Sequence, residues 1–464
     1  MKKTTLDLME TAEAMAAELP SGLDRSDYHR VSIDSRDISE GTLFIGLPGE
    51  KTHGQRFAAS ALDGGAAAVV VEDLDEAQCR EKGNVLLVES CERALQSAAR
   101  AVREKSKAHF VGVTGSCGKT TTKDVLARVL DEVLAKTHAS LGNFNNHLGL
   151  PLSLLSMPRD VEWAVLELAM SNPGEIDLLA SILKPSVGII TNIGEAHLET
   201  MGTIERIFEA KAELIPYLSE DGILMLNGDC PFAEKLRERC FARVLDVGIS
   251  PNKARRCFDA ELSEIEIRFN QLRGRLFIRG SRGERDFGFL TLPVAGSHIA
   301  RSFLFAALLA WELGAEEDAL VSSLQEHSAT WGRMAVESLG SVKVINDAYN
   351  ANPSSMEAAL RYLAALPSPS FAVLGEMLEL GEHSHWAHEK VARLACGLLG
   401  EDRVLFLGEC YRPFEGEFPK ARFFDSIEDI AEGLSPILGE GDTLLLKASR
   451  GVGLEAILPK LFRK

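Results

Sequence analysis

Residues 109–130 read HFVGVTGSCGKTTTKDVLARVL: a strand, a glycine-bearing loop and a helix in immediate succession. This order constrains the fold more than any other feature of the chain. The apolar run ends at Thr114, and Gly115, Ser116, Cys117 and Gly118 must turn tightly. Lys119, Thr120 and Thr121 then open a helix whose apolar positions, Val125, Leu126, Val129 and Leu130, share one face. Glycines let backbone N–H groups point inward, and the helix N-terminus adds the positive end of its dipole, so the loop from Thr114 to Thr121 suits a phosphate. Lys119 can reach the β- and γ-phosphates of a nucleotide such as ATP, and Thr120 can ligate Mg²⁺. The strict GxxxxGK[ST] spacing is not met, because Val113 stands where the first glycine belongs. The blander alternative is a strand–helix turn followed by a chance lysine; the order of strand, loop, GKTT and helix weighs against it. Cys117 reads as a small loop residue rather than a nucleophile.

The same alternation recurs along the chain. AAAVVVE (66–72), EWAVLELAM (162–170), SVGIITNIG (186–194), FAVLGEM (371–377), RVLFLGE (403–409) and DTLLLKAS (442–449) are near-continuous apolar runs between helical patterns. Strands of that kind are buried on both faces, which predicts parallel sheets and an α/β fold. The stretch 245–293, with EIEIRFN, GRLFIRG and DFGFLTLP, predicts β-hairpins inserted into the middle domain. At roughly 100 to 200 residues per domain, 464 residues suggest about three domains. The charged segment REKSKAH (103–109) and the stretch Ser328 to Gly332 are the natural boundaries, giving 1–107, 108–330 and 331–464.

Composition narrows the class. A formal net charge of −18 disfavours nucleic acid as a partner. No run of eighteen apolar residues exists, so no membrane span is expected. The start, MKKTTLDLMETAEAM, has acids where a signal peptide has its apolar core, and reads as an amphipathic helix. The eight cysteines are scattered without CxxC pairs, which predicts reduced thiols and a cytoplasmic setting.

Beyond the phosphate loop, Glu167 follows the strand WAVL, and His197, in TNIGEAHLE, follows the strand SVGII. Ligands gather at the carboxyl ends of parallel strands, so a carboxylate and an imidazole there can serve a second Mg²⁺ or orient a phosphate. For a lone histidine, a satisfied core role is the alternative. Lys211, in FEAKAEL, lies one helix further on, and a solvated helix lysine is its plain reading. GNFNNHLG places Asn143, Asn145 and Asn146 between glycines. Such a loop can hydrogen-bond a polar substrate or simply be an Asn/Gly turn.

Taken in order, TGSCGKTT, GNFNNHLG, the glutamate of LELAM, TNIGEAHLE and EAKAEL resemble the Mur ligases and folylpolyglutamate synthetase. NDAYNANPSSMEAAL (346–360), VLGEMLELGEHSHWAHEKV (373–391) and LLKASRGVGLE (445–455) are similar to the Mur ligase branch that joins D-alanyl-D-alanine to UDP-N-acetylmuramoyl-tripeptide (UDP-MurNAc-tripeptide). IDSRDISEGTLFIGLPGEKTHGQRF (33–57) resembles that branch's uridine-binding domain, so the likeness runs from about 33 to 455. It implies three domains: one for the UDP substrate, a central P-loop ATPase with a parallel sheet, and a C-terminal Rossmann-like domain. It implies an ATP-dependent ligase of peptidoglycan synthesis, working through an acyl phosphate with two Mg²⁺ ions.

Carried over residue by residue, the resemblance assigns the phosphates and first Mg²⁺ to Lys119 and Thr120. Mg²⁺ and the transferring phosphoryl group fall to Glu167 and His197. It assigns a carbamylated metal ligand to Lys211 and ATP contacts from the C-terminal domain to Arg333 and Asp347. Asn350 and Asn352 lie nearest the dipeptide, and Ser35 and Arg36 on the uridine-diphosphate side. The family's GxHNxxN appears here as GSHIARS (296–302), with Ile299 and Ser302 in place of asparagines; Asn346 replaces an acid, and Cys117 an asparagine. The alternatives are another Mur ligase, a folylpolyglutamate synthetase-like enzyme, or a P-loop ATPase that only switches shape. A monomer is the expectation, and the third residue of the tripeptide, diaminopimelate or lysine, is left open.

Overall fold

The apolar runs assemble into three separate sheets. In the computed structural model, which describes residues 3–18, 27–49, 52–79, 83–250, 258–326, 333–367 and 369–461, the first sheet is all parallel and follows chain order. Its strands are β1 (Arg30–Ser32), β2 (Thr42–Ile45), β3 (Ala68–Val71) and β4 (Val85–Leu87). The second sheet contains β5 (His109–Thr114), β6 (Thr137–Ala139), β7 (Trp163–Glu167), β8 (Val187–Ile190), β9 (Ile223–Asn227), β10 (Arg243–Ser250), β11 (Ala260–Arg268), β12 (Gln271–Gly280) and β13 (Gly283–Leu292). Its spatial order is β13-β12-β11-β10-β9-β8-β5-β7-β6. The third contains β14 (Ala335–Leu339), β15 (Val342–Asp347), β16 (Ser370–Gly375), β17 (Val404–Leu407), β18 (Arg422–Phe424) and β19 (Thr443–Lys447), in the order β14-β15-β19-β16-β17-β18, with only β14 antiparallel. The expected α/β class with three sheet-based units is what the chain adopts.

The central sheet positions the site. β5 lies between β8 and β7, so the chain leaves β5 towards one edge and later returns on its other side. A crevice forms at the carboxyl ends of strands where the order reverses in this way. The loop after β5, Glu167 at the end of β7 and the segment after β8 therefore converge. Burial drives this: Phe110, Val111 and Val113 of β5 and Ala164, Val165 and Leu166 of β7 are fully buried. The helix Lys119–Val133 packs Val125, Leu126, Val129 and Leu130 onto the helix Ser297–Glu312. Burying each such leucine stabilises by roughly 1.5–3 kcal/mol.

The β-hairpins expected at 245–293 are present: β11, β12 and β13 pair antiparallel in turn, and β10, parallel to both β9 and β11, joins them to the central sheet as its edge. Within the segment REKSKAH, Arg103 to Lys105 form the last turn of the helix Cys91–Lys105. Arg103 donates to Leu183 O at 2.6 Å and Lys184 O at 2.9 Å, which pins that helix to the central unit. The second boundary, Ser328 to Gly332, lies outside the described residues. The expected N-terminal helix is present as Leu8–Ala14, started by an Asp7–Glu10 capping box. Cys79, Cys91, Cys117, Cys230, Cys240, Cys396 and Cys410 are free thiols. Among the described residues no helix is long and apolar enough to cross a membrane.

Candidate active site

The phosphate loop has the backbone its sequence requires. Gly115 has φ +146° and Gly118 φ +79°, and a Cβ on Gly115 would collide with Thr191 Oγ1. Only glycine suits both the angle and the space. The loop is braced by the segment after β8. Ser116 Oγ donates to Gly194 O at 2.8 Å, Asn192 Oδ1 accepts from Cys117 N at 2.9 Å, and Thr191 Oγ1 donates to Cys117 O at 2.6 Å. Cys117 Sγ accepts from Asn192 Nδ2 at 2.9 Å, and burial raises the thiol's pKa. That state favours a neutral packing group over a nucleophile. Lys119 Nζ donates to Gly115 O at 2.9 Å. Enclosure in the cleft lowers the Lys119 pKa; Glu167 opposes that shift and Arg333 adds to it.

Two hard oxygen donors meet beside the loop. Thr120 Oγ1 donates to Glu167 Oε2 at 2.7 Å, and Asn145 Nδ2 donates to Glu167 Oε1 at 2.8 Å. Thr120 and Glu167 are buried, at 4% and 2% exposure, so their oxygens form a preorganised pair. Mg²⁺ takes one or two protein oxygens and completes its shell with phosphate and water, and this pair fits such a role. His197, at φ +56°, caps the short helix Leu198–Met201. Its Nδ1 lies 2.6 Å from Glu379 Oε2, a residue of the third unit that is itself at φ +62°. That bond holds the Glu379 carboxyl below its ordinary pKa. Glu379 O also accepts from Glu199 N at 3.1 Å, and Lys390 Nζ reaches Glu195 at 3.1 Å. The LGEMLELG segment is thus docked on the turn that carries His197.

Lys211 closes the rear of the site. It lies in the helix Ile204–Ala212 at 1% exposure, and no hydrogen-bond or ion-pair partner for it is found among the described residues. Burial and the nearby Lys119 charge hold its pKa well below the usual lysine value. A solvated surface lysine is therefore the wrong description.

The third unit supplies the opposite wall. Lys447 Nζ donates to Asp347 Oδ2 at 2.6 Å and to Asn350 O at 3.0 Å; Met334 N donates to Asp347 Oδ1 at 3.1 Å. Burial raises the Asp347 pKa, against the pull of Lys447. The Arg333 guanidinium lies 4.1 Å from the centre of the Tyr349 ring. Asn352 caps the helix Pro353–Ala364 by accepting from Ser355 N at 2.9 Å. Ser302 is buried, its hydroxyl 2.9 Å from Thr122 Oγ1, so it ties the two helices that flank the loop. Burial also lowers the His298 pKa to about 3, so that its ring is neutral at pH 7.

A cleft of about 610 Å³ is lined by Ser116 to Thr121, Asn143, Asn145, Asn146, Glu167 and His197. Arg333, Asp347, Asn350 and Asn352 line it from the other side. Thr114 and Gly115 form the loop's root, Lys211 is buried behind it, and Ser35 and Arg36 follow β1 away from this lining. Arg36 is exposed and donates to both Asp34 oxygens. Asn146 Oδ1 accepts from Gly149 N at 2.8 Å, so this asparagine also serves the turn. Sequence reasoning passed over Glu379, Lys447, Tyr349 and Asn192. Each lies in a segment singled out for its resemblance, but only the paired geometry gives it a task.

Models of the Mur ligase family match in three consecutive blocks: the catalytic domain at residues 27–104, the middle domain at 113–310 and the glutamate ligase domain at 332–450. UDP-N-acetylmuramoyl-tripeptide–D-alanyl-D-alanine ligase of Bacillus subtilis (strain 168) is 33% identical over 99% of this chain and 98% of its own length. The crystal structure of MurF from Acinetobacter baumannii superimposes with a TM-score of 0.88 at 27% identity, covering 100% of this chain and 99% of that one. MurF ligase from Thermotoga maritima in complex with ADP gives a TM-score of 0.79 at 29% identity, over 93% and 97% of the two chains. With the phosphate loop, the Thr120–Glu167 pair and full-length similarity in agreement, the chain belongs to the Mur ligase family.

Proposed function

We propose that the chain is an ATP-dependent ligase that adds D-alanyl-D-alanine to UDP-MurNAc-tripeptide in peptidoglycan precursor synthesis, forming ADP and phosphate through an acyl phosphate. The observation that carries this reading is the single cleft in which the phosphate loop faces Asp347, Asn350, Asn352 and Glu379 of another unit. A switch ATPase needs the loop but not that second wall. An acyl phosphate hydrolyses readily in water, so a site closed by one unit over another is what its chemistry requires.

In this reading Lys119 and the N–H groups from Gly115 to Thr121 hold the ATP phosphates. Thr120, Glu167, His197 and a carbamylated Lys211 would hold two Mg²⁺ ions, which would supply positive charge against that building between carboxylate and γ-phosphate. Arg333 and Asp347 contact ATP from the third unit, and Asn143, Asn145, Asn146, Asn350 and Asn352 orient the peptide and dipeptide. Ser35 and Arg36 serve the uridine diphosphate; the exposed Arg36 guanidinium can turn from Asp34 to a phosphate. The units are assigned as 1–107 for the UDP substrate, 108–330 for ATP and 331–464 for closure, in a cytoplasmic monomer. Phosphate release that requires ATP, UDP-MurNAc-tripeptide and D-alanyl-D-alanine together tests the reading. Equal release with either acceptor or donor omitted would contradict it.

Two smaller effects follow. Glu379→Ala is expected to lower kcat roughly tenfold, since the partner that orients a functional histidine is worth that order. Glu379→Gln, which still accepts from Nδ1–H, should retain most activity; steady-state kinetics of the two variants compare them. Base choice follows from Ser302, whose hydroxyl is engaged by Thr122. Relative to family members that keep the asparagine, discrimination of ATP from GTP should be weaker by about 0.5–1.5 kcal/mol, the worth of one hydrogen bond. The ratio of kcat/KM for the two nucleotides measures it.

A further inference from the structure

Lys123 is a buried cation with no part in the chemistry above. It lies one turn beyond Lys119 on the same helix at 2% exposure. Its Nζ donates to Ser140 O at 2.7 Å and Gly142 O at 3.3 Å, and lies 2.8 Å from Asp124 Oδ1. Removing an ammonium from water costs several kcal/mol, and these donors recover it only through fixed acceptors. The two carbonyls are the entry to the asparagine loop. On this side Leu141 is 72% exposed and Phe144 42%, and besides Lys123 the loop's entry is held by Ser140 N, which donates to Val165 O at 3.3 Å. At its far end Asn145 Nδ2 donates to Glu167 Oε1, while Glu167 Oε2 accepts from Thr120 on Lys123's own helix. The contacts form a ring: helix, Lys123, loop, Asn145, Glu167, Thr120 and back to the helix.

We infer that Lys123 is a positioning residue, which sets the asparagine loop so that Asn145 fixes Glu167 for the metal and the loop meets the peptide substrate. The inference rests on the proposed ligase reading. It predicts an effect on loop-dependent steps and not on the phosphate loop itself. In Lys123→Met, which keeps the stem and removes the donors, the Mg²⁺ concentration for half-maximal activity should rise about tenfold. Binding of a fluorescent ATP analogue without Mg²⁺ should stay within about threefold, since Lys119 and the loop amides are untouched.

The decisive measurement is a double-mutant cycle with Asn145→Ala, read as the Mg²⁺ midpoint. If Lys123 acts through Asn145, its substitution in the Asn145→Ala background should shift the midpoint at least about threefold less than in wild type. A smaller reduction, or an equal loss of nucleotide binding in Lys123→Met, overturns the inference and leaves Lys123 as a general structural staple. Should the methionine variant not fold, Lys123→Gln, which keeps a donor on a shorter stem, takes its place in the cycle. Failure of the ligase reading would look different: the wild-type enzyme would release no phosphate with both substrates present.

Discussion

Lys119→Ala is expected to abolish ligation at saturating ATP. The loop supplies backbone dipoles, but Lys119 is the cation placed to meet the charge that develops on the γ-phosphate. Its Nζ lies at the loop's root, 2.9 Å from Gly115 O, and enclosure lowers its pKa. An incoming polyphosphate reverses that shift by pairing with the ammonium, so attraction and protonation reinforce each other. Removing one preorganised donor of this kind costs on the order of 3 kcal/mol or more in transition-state stabilisation. Lys119→Met should fail equally, because the stem without the charge does not help. Near-normal turnover of either variant in a phosphate-release assay would mean that the loop binds something other than the reacting phosphoryl group.

The second large effect is expected at Lys211. Lys211 is buried next to Lys119, no anionic partner for it is found among the described residues, and its pKa is driven well below the usual lysine value. The direction favours the chemistry: a lowered pKa raises the share of unprotonated amine, and only that form takes up CO₂. The carbamate turns a cation that would repel Mg²⁺ into a pair of hard oxygen ligands. Lys211→Ala should lose on the order of a hundredfold or more in activity. Acetate or another short carboxylate should restore part of it by filling the vacated anionic position. Lys211→Arg should not be rescued, since it returns only positive charge. A carbamate resonance in ¹³C spectra of the wild-type protein equilibrated with ¹³C-bicarbonate, absent in Lys211→Ala, gives a readout independent of turnover. Full activity of Lys211→Arg would reduce the residue to a structural cation.

The sequence made these two lysines visible for different reasons. Lys119 stands in a short pattern in which strand, glycine and helix each have a physical task, so its role is legible from spacing alone. Lys211 lies on a helix where spacing cannot separate a surface lysine from a buried one, and only resemblance marked it. The buried strands β3, β5, β7, β8, β16, β17 and β19 were read directly from their apolar runs. Strands of three residues, β1, β4, β6 and β18, carry too little pattern to stand out. The hairpins of β11 to β13 were also expected, while the parallel pairing of β10 with β9 and with β11, which joins them to the central sheet, is something no local signal encodes. The same holds for Glu379 against His197 and Lys447 against Asp347. In both pairs the partners are far apart in sequence, and each residue alone is an ordinary charge. Ser302 shows the opposite limit. The resemblance placed it near the base, while packing gives its hydroxyl to Thr122.

The central claim is that the tripeptide carboxylate attacks the γ-phosphate of ATP, that ADP leaves, and that the carboxylate is carried forward as an acyl phosphate. It is tested most directly with UDP-MurNAc-tripeptide carrying ¹⁸O in the carboxylate that becomes the new amide. Attack of the dipeptide amine on the acyl phosphate expels phosphate with the bridging oxygen, so one ¹⁸O per turnover should appear in the inorganic phosphate. Unlabelled phosphate, formed at the same rate as the amide product, would show that ATP is hydrolysed by water and would contradict the account.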